Sequence, residues 1–275
     1  MNRIKLNLIF SILFVCVFFV SCLKNKKEYF DNGNLKAEYQ KTKNGILEGK
    51  YIKYYENGNI KSIQLFRNNV EIDSTIVYDS LKSNTIKTAI YRNKNSIDSI
   101  YVKNYDNSYI TSEGHMFKTQ KTGKWKLYKN QKIDKIMQYK NIDGKQYLNQ
   151  GWFFDKSGDT IHEYGSNYKF KYSVKLKEKT IDISIKYKPL IAENANVILL
   201  HNEKLNKEFS NIDEVVLDTI FFTNNKVDIE YKVKHKREKL NFNLRGIIKE
   251  YADLLKNDSI YYRERLIYLD EKIVK

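Results

Sequence analysis

The sequence predicts a mainly β fold: an elongated antiparallel sheet of repeated β-hairpins, about 25 residues per unit, followed by a small β-sandwich-like domain. Three observations predict it. Tyr29 to Ala37 (YFDNGNLKA) and Tyr54 to Ser62 (YYENGNIKS) are near copies, identical at Tyr29/Tyr54, Asn32/Asn57, Gly33/Gly58, Asn34/Asn59 and Lys36/Lys61. Further steps of 25 from Gly33 and Gly58 land on Ser83, Ser108, the neighbourhood of Ile133, and Gly158, each in a polar, turn-like stretch. An aromatic residue precedes every landing (Phe30, Tyr55, Tyr78, Tyr105, Tyr128, Phe154), and an Ile or Leu follows it. Past about Gly165 the repeat gives way to period-two alternation, the mark of strands with one buried and one wet face.

The elements follow in chain order. Arg3 and Lys5 precede an apolar run from Leu8 to Val20, too short for a comfortable span and suited to a signal-peptide core. It ends in Val20-Ser21-Cys22, which resembles the lipobox of bacterial lipoproteins. That resemblance implies cleavage before Cys22 and lipidation of its sulfur; an ordinary secretory signal or an uncleaved anchor is the plainer alternative. Residues 1–21 are thus expected to be a signal peptide and 22–27 a lipidated tether. Cys16 leaves with the signal, so the mature chain has no spare thiol for a disulfide, a thiolate metal site or a nucleophile.

Residues 28–165 carry the repeats. Asn-Gly at 32–33 and 57–58 predicts type I′ hairpin tips, with both residues at positive φ. Gly-Lys-Tyr at 49–51 and Gly-Lys-Trp at 123–125 are expected to open the strand leading to the next tip, and Gln150-Gly151-Trp152 is a shortened version. The expected structural tip residues are Asn32, Gly33, Asn57, Gly58 and Gly158. A lone hairpin is marginal in water, so the units must pair edge to edge.

The stretches GKYIKYYENGNIKS (49–62) and GKWKLYKNQKIDK (123–135) resemble the MORN-variant repeat of YwqK-type, antitoxin-labelled bacterial proteins. The resemblance covers roughly residues 28–165 and is weakest around 74–118, where Ser83 and Ser108 replace the tip glycine and distorted units are expected. It implies an antiparallel sheet of successive hairpins. The family names also invoke membrane contact and antitoxin activity, and neither brings a catalytic residue set to carry over. A lipoprotein signal departs from a cytoplasmic antitoxin.

Residues 166–275 predict the sandwich-like domain. Strands are expected around Tyr168 to Leu176, Ile181 to Tyr187, Val197 to Leu200, Val215 to Phe222, Val227 to Val233, Leu240 to Leu244 and Ile260 to Val274. Ile247 to Leu255 (IIKEYADLL) is expected to be a helical turn or short helix.

Charge and motifs bound the function. The formal net charge is +16, and removing Arg3 and Lys5 with the signal leaves about +14. Such a balance favours acidic partners, while the Lys-, Asn- and Ile-rich composition of a low-GC genome accounts for the same excess without function. The anchor would place the chain outside the cytoplasm, so nucleic acid is not expected. His115, His162, His201 and His235 are too far apart for a compact ligand motif, and no P-loop, nucleophile elbow or dinucleotide fingerprint occurs. No cofactor, metal or catalytic residue is expected. A paired-carboxylate hydrolase site stays open, since such pairs meet only in the fold. The candidate binding surface is the outward remainder of the aromatic row, Tyr54, Tyr55, Trp125, Tyr128 and Trp152, together with Lys234, Lys236 and Arg237 from KVKHKREK (232–239), which also reads as a charged hairpin turn.

The sequence thus reads as a non-catalytic, lipid-anchored cell-envelope protein, expected at the outer membrane facing the periplasm. Its expected partners are the membrane, through the lipid, and a protein of acidic character. A periplasmic immunity protein against a toxin and an envelope hydrolase are the alternatives. No small-molecule ligand is identified.

Overall fold

The computed structural model describes residues 23–93, 96–161, 165, 168–175, 180–192, 195–221, 228–234, 241–257 and 259–274. The expected signal peptide and lipidation site, residues 1–22, lie outside them. Eleven strands run in sequence order through one antiparallel sheet: β1 (Lys24–Tyr29), β2 (Leu35–Lys41), β3 (Leu47–Tyr54), β4 (Ile60–Arg67), β5 (Val70–Tyr78), β6 (Ile86–Asn93), β7 (Ser96–Asp106), β8 (Tyr109–Phe117), β9 (Gln120–Lys129), β10 (Lys132–Ile142) and β11 (Lys145–Phe153). This is the expected succession of hairpins. Seven further strands form two smaller sheets. One has the order β12 (Tyr168–Lys175), β13 (Thr180–Tyr187), β16 (Asp228–Lys234). The other has the order β15 (Asp218–Phe221), β14 (Asn196–His201), β17 (Asn241–Lys256), β18 (Ser259–Val274). Among the described residues no helix is long and apolar enough to cross a membrane.

The tips correct the expected turn chemistry. At Gly33 the loop has three residues: Gly33 N–H donates to Phe30 O (2.9 Å) and Phe30 N–H to Asn34 O (2.8 Å). Only the glycine has positive φ (83°); Asn32 does not, because its side chain turns to accept the Asn34 amide at 3.0 Å. Gly58 repeats the arrangement, with Asn57 accepting from Asn59 at 3.1 Å, and the loop ending at Gly158 has the same backbone bonds. Two successive residues at positive φ occur instead at Asn68-Asn69, Asn107-Ser108, Asn130-Gln131 and Asp143-Gly144. Asparagine tolerates the left-handed region well enough to tip a two-residue turn without glycine, so Ser108 distorts nothing. The tip near Ser83 is longer, and Asp79 closes it by accepting the Leu81 and Lys82 amides at 2.8 and 2.9 Å.

Gly49 and Gly123 do not open strands. They lie inside β3 and β9, at positive φ (78° and 65°), where the ladder bulges: one residue, Gln40 or Gly114, stands opposite three. Asp73 (φ 63°) fills the same place opposite Gln64. Gly151 stays in register with Met137 and has no positive φ, so Gln150-Gly151-Trp152 is not a copy of that motif.

Residue contacts divide the chain into two compact units, Met1–Ile110 and Thr111–Lys275. Among the described residues of the first unit the buried ones are small: Ala37, Ser62, Thr75, Ala89 and Val102. Neighbouring tips are tied to each other at steps of about one unit. Asn34 donates to Glu56 O (2.7 Å), Asn57 to Ser80 O (2.8 Å), and on the other edge Asn69 Oδ1 accepts the Leu47 amide (2.7 Å). Stability of this kind resides in nearest-neighbour interfaces.

The second unit has two cores. Ile181, Ile183 and Ile185 from one small sheet face Leu199, Ile248, Ile267 and Leu269 from the other, which is the expected sandwich. On the far side of β17–β18, Leu205, Phe209, Ile247 and Tyr268 form a second cluster, with Ile142 and Tyr147 of the last repeat hairpin packed against it. β17 is therefore buried on both faces, Ile248 in one core and Ile247 in the other. That is why the expected helix is a strand: adjacent Ile247 and Ile248 are each buried on a different face, which breaks the period-two alternation at that point. Strand β15 is shorter than expected, and a 3-10 turn occupies Ile212–Glu214. The last repeat hairpin is held by hydrogen bonds as well. Asn149 accepts the Tyr268 amide (2.7 Å) and donates to the Tyr268 carbonyl (2.9 Å), so one side-chain amide pairs with β18 as a strand backbone would.

Candidate binding surfaces of the hairpin sheet

Register and alternation assign the side chains of β1–β6 to two faces. One face carries a row of rings. Tyr39 and Tyr51, opposite each other on β2 and β3, stack at 4.8 Å with planes only 2° apart, and Phe66 on β4 extends the row 5.9 Å from Tyr51. All three are half-buried. Lys41 lies over Tyr39 (5.3 Å) and Lys53 over Tyr51 (5.4 Å). The Tyr39 hydroxyl donates to Glu28 on β1 at 2.8 Å; that carboxylate, with some burial, raises the hydroxyl above its ordinary range. Burial raises Tyr51 likewise. Further along the same face Glu71 of β5 receives Arg92 of β6 at 2.5 Å and is also hydrogen-bonded by Thr75. Burial works to raise Glu71, but the bonds from Arg92, Thr75 and Gln64 outweigh it and hold the carboxyl below its usual value. The face therefore offers flat, partly solvated rings with cations above them and a fixed ion pair beside them.

The opposite face of β1–β4 holds a cleft of about 590 Å³, with Ile52 and Leu65 as apolar floor and Lys27, Lys50, Glu38 and Gln40 around it. Glu38 is engaged from within the sheet, accepting the Tyr54 hydroxyl at 2.6 Å. Glycine is favoured at 49 by its positive φ (78°), and a Cβ there would also push the Gln40 side-chain amide aside.

The residues singled out from the sequence separate under this geometry. Tyr54 is half-buried and spent on Glu38, and burial, together with that bond, pushes its hydroxyl up to about 12. Tyr128 repeats the contact three units of about 25 residues later, donating to Glu113 at 2.6 Å. Tyr55 donates to Tyr78 O at 3.0 Å. Trp125 is 2% exposed, packs on Gly114 and donates Nε1–H to His115 O at 2.8 Å, so it is a core residue and no part of an outward row. Trp152 is half-buried beneath Lys124, 4.8 Å from the ring centroid. Lys236 and Arg237 lie outside the described residues, as does the side chain of Lys234, whose backbone is in β16. The Tyr39–Tyr51–Phe66 row is absent from that selection. Its signal was available only through register: Tyr39 and Tyr51 come together because the bulge at Gly49 sets the pairing of β2 with β3.

In the second unit the titratable residues read as structural. Arg245 bonds Asp270 at 3.0 Å and Leu205 O at 2.9 Å, and Lys140, lowered by burial, lies 5.9 Å from the Phe209 ring. Glu250 is fully buried and accepts from the Tyr187 hydroxyl (2.5 Å) and from the Leu190 and Ile191 amides (2.6 Å each). Among the described residues no three His, Cys, Asp or Glu side chains are grouped to hold a metal ion. No protein-family model matches the chain, and no curated protein matches it.

Proposed function

We propose that the chain is a non-catalytic, lipid-anchored cell-envelope protein of the MORN-variant kind, which binds a protein partner through the aromatic face of its hairpin sheet. The observation that carries this reading is the Tyr39–Tyr51–Phe66 row under Lys41 and Lys53. Tyrosine rings held rigid by stacking lose little conformational freedom on binding, and tyrosine is enriched among the residues that dominate protein interfaces. The lysines above the rings, and the basic balance of the chain, select an acidic surface opposite. Lipid on Cys22 would hold this face at the membrane, only a few residues from β1.

In-cell cross-linking of the full chain tests both parts. The wild-type protein is expected in the membrane fraction, cross-linked to a defined partner. A Tyr39→Ser/Tyr51→Ser variant with unchanged circular dichroism should lose the partner, and Cys22→Ser should release the chain from the membrane. Retention of the same partner by the double variant, or turnover of a substrate by a chain that captures nothing, would overturn the reading.

A further inference from the structure

Strand β18 ends the four-stranded sheet, so among the described residues no strand is paired along one of its two edges. Its pairing with β17 is unbroken from Asn241↔Val274 to Lys256↔Ser259. In such a ladder alternate residues turn both backbone groups outward. For β18 these are the even-numbered ones, as the bonds they accept and donate demonstrate. Beyond Leu266 side chains take up groups along that edge: Tyr147 donates to Leu266 O (2.8 Å), Asn149 takes both groups of Tyr268, and the Tyr172 hydroxyl meets Val274 N and O (3.2 and 3.3 Å).

From Ile260 to Glu264 the covering stops. The outward amides and carbonyls of Ile260, Tyr262 and Glu264 have no partner among the described residues. The same stretch extends past the body of its sheet: β14 pairs with β17 only as far as Tyr251, so Asp253–Leu255 and Ile260–Tyr262 continue as a pair of strands with no third strand beside them among the described residues. Large apolar side chains are bare on it, with Leu255 73%, Ile260 74%, Tyr262 54% and Tyr261 42% exposed. A free-standing hairpin is marginal in water, and an uncapped apolar edge is a template for another strand.

We infer that Ile260–Glu264 of β18 pairs antiparallel with the same stretch of a second copy of this chain, about a two-fold axis through Tyr262. The register follows from the window itself. An axis normal to the sheet keeps each face matched with itself, which requires paired residues of the same parity. Centred on Tyr262, it sets Tyr262 against Tyr262 and Ile260 against Glu264 in both directions. Every outward amide and carbonyl of the two windows is then used, and the pairing stops where Tyr147 begins to cover the edge. On the other face Tyr261 meets Arg263 of the second copy, a cation–π pair. Glu264 is already held on its own chain, by Lys249 at 2.9 Å and Tyr262 Oη at 3.0 Å, so it brings no free charge to Ile260. A different protein's strand would satisfy the backbone equally, but only a second copy is bound to present the matching window and the Tyr261–Arg263 complement. The inference is independent of the partner proposed for the aromatic face, which lies on other strands.

Sedimentation of the full chain, with cysteine cross-linking, tests it. The parent chain is expected to self-associate. Tyr262→Pro removes an outward amide and no bond to β17, and should weaken association roughly tenfold or more. Tyr262→Glu, which sets like charges against each other, should weaken it too; circular dichroism should be unchanged for both. Tyr262→Cys should give a disulfide-linked dimer absent from the parent, since a hydrogen-bonded pair spaces its Cα atoms about 5.5 Å apart. Ile260→Cys should give none, because its own copy lies about 13 Å away along the strand. A parent chain that stays monomeric at every concentration would overturn the inference. So would undiminished association of both Tyr262 variants, equal cross-linking through Ile260→Cys, or a Tyr262→Cys cross-link to a different protein.

Discussion

The two units are built from the same kind of strand and are stabilised by different means. In the first, the buried ones among the described residues are Ala37, Ser62, Thr75, Ala89 and Val102, small enough that little apolar volume leaves water, and adjacent tips are stitched by asparagine side chains. In the second, isoleucines, leucines and aromatic rings fill two cores on opposite faces of β17–β18, and buried polar groups such as Glu250 and Asn149 are fully bonded. A sheet without a core keeps both faces accessible, whereas a cored sheet spends them. The first unit is therefore the part with accessible faces, and the second the part whose stability rests on buried apolar cores.

The comparison can be broken at its strongest point by core truncation. Leu269→Ala, at a fully buried position, should cost about 2–5 kcal/mol in denaturant unfolding of the second unit. Ile63→Ala, on the half-buried face of β4, should cost about 1 kcal/mol. Equal costs would erase the distinction. Next comes the side chain that pairs with β18: Asn149→Ala leaves the Tyr268 amide and carbonyl without partners and should cost about 2–3 kcal/mol. A negligible cost would mean that the Ile142 and Tyr147 contacts alone hold the last hairpin.

Alkaline pH sharpens the comparison from another side. Tyr54 is pushed up to about 12, and burial pushes Tyr168 and Tyr187 above their ordinary values. A tyrosine raised in the folded state keeps its proton there after the unfolded chain has lost it. Its contribution is complete below about pH 10 and is lost as pH rises through the folded value. Stability should fall above pH 10 in both units, and Tyr54→Phe should flatten the fall in the first unit only. The smallest effect belongs to the tips. Gly33→Ala meets no atom within 4 Å and should cost about 1 kcal/mol, from left-handed strain alone, as read by thermal unfolding.

Much of the scaffold is written in local residues. The Asn-Gly phrases, the spacing of aromatic residues and the alternation past Gly165 each act through neighbours in sequence, and all lead to strands. What depends on distant pairing is harder to read. Asn32 looks like half of a type I′ turn until its side chain is seen to accept the Asn34 amide. Ile247 to Leu255 looks helical until a core is found on each side of β17. Trp125 looks outward until the bulge at Gly123 lays it on Gly114. The Tyr39–Tyr51 stack depends on a similar bulge at Gly49. Bulges shift register, and register decides which residues share a face.

Native-state hydrogen exchange of the full chain tests the contrast between the units most directly. Amides of β3–β6 are expected to exchange through local openings of low free energy, while those of β13, β14 and the cored part of β17 exchange only with the unfolding of the second unit. Uniform protection from β3 through β17, or greater protection in β3–β6, would contradict the contrast between a first unit with small buried residues and a cored second unit.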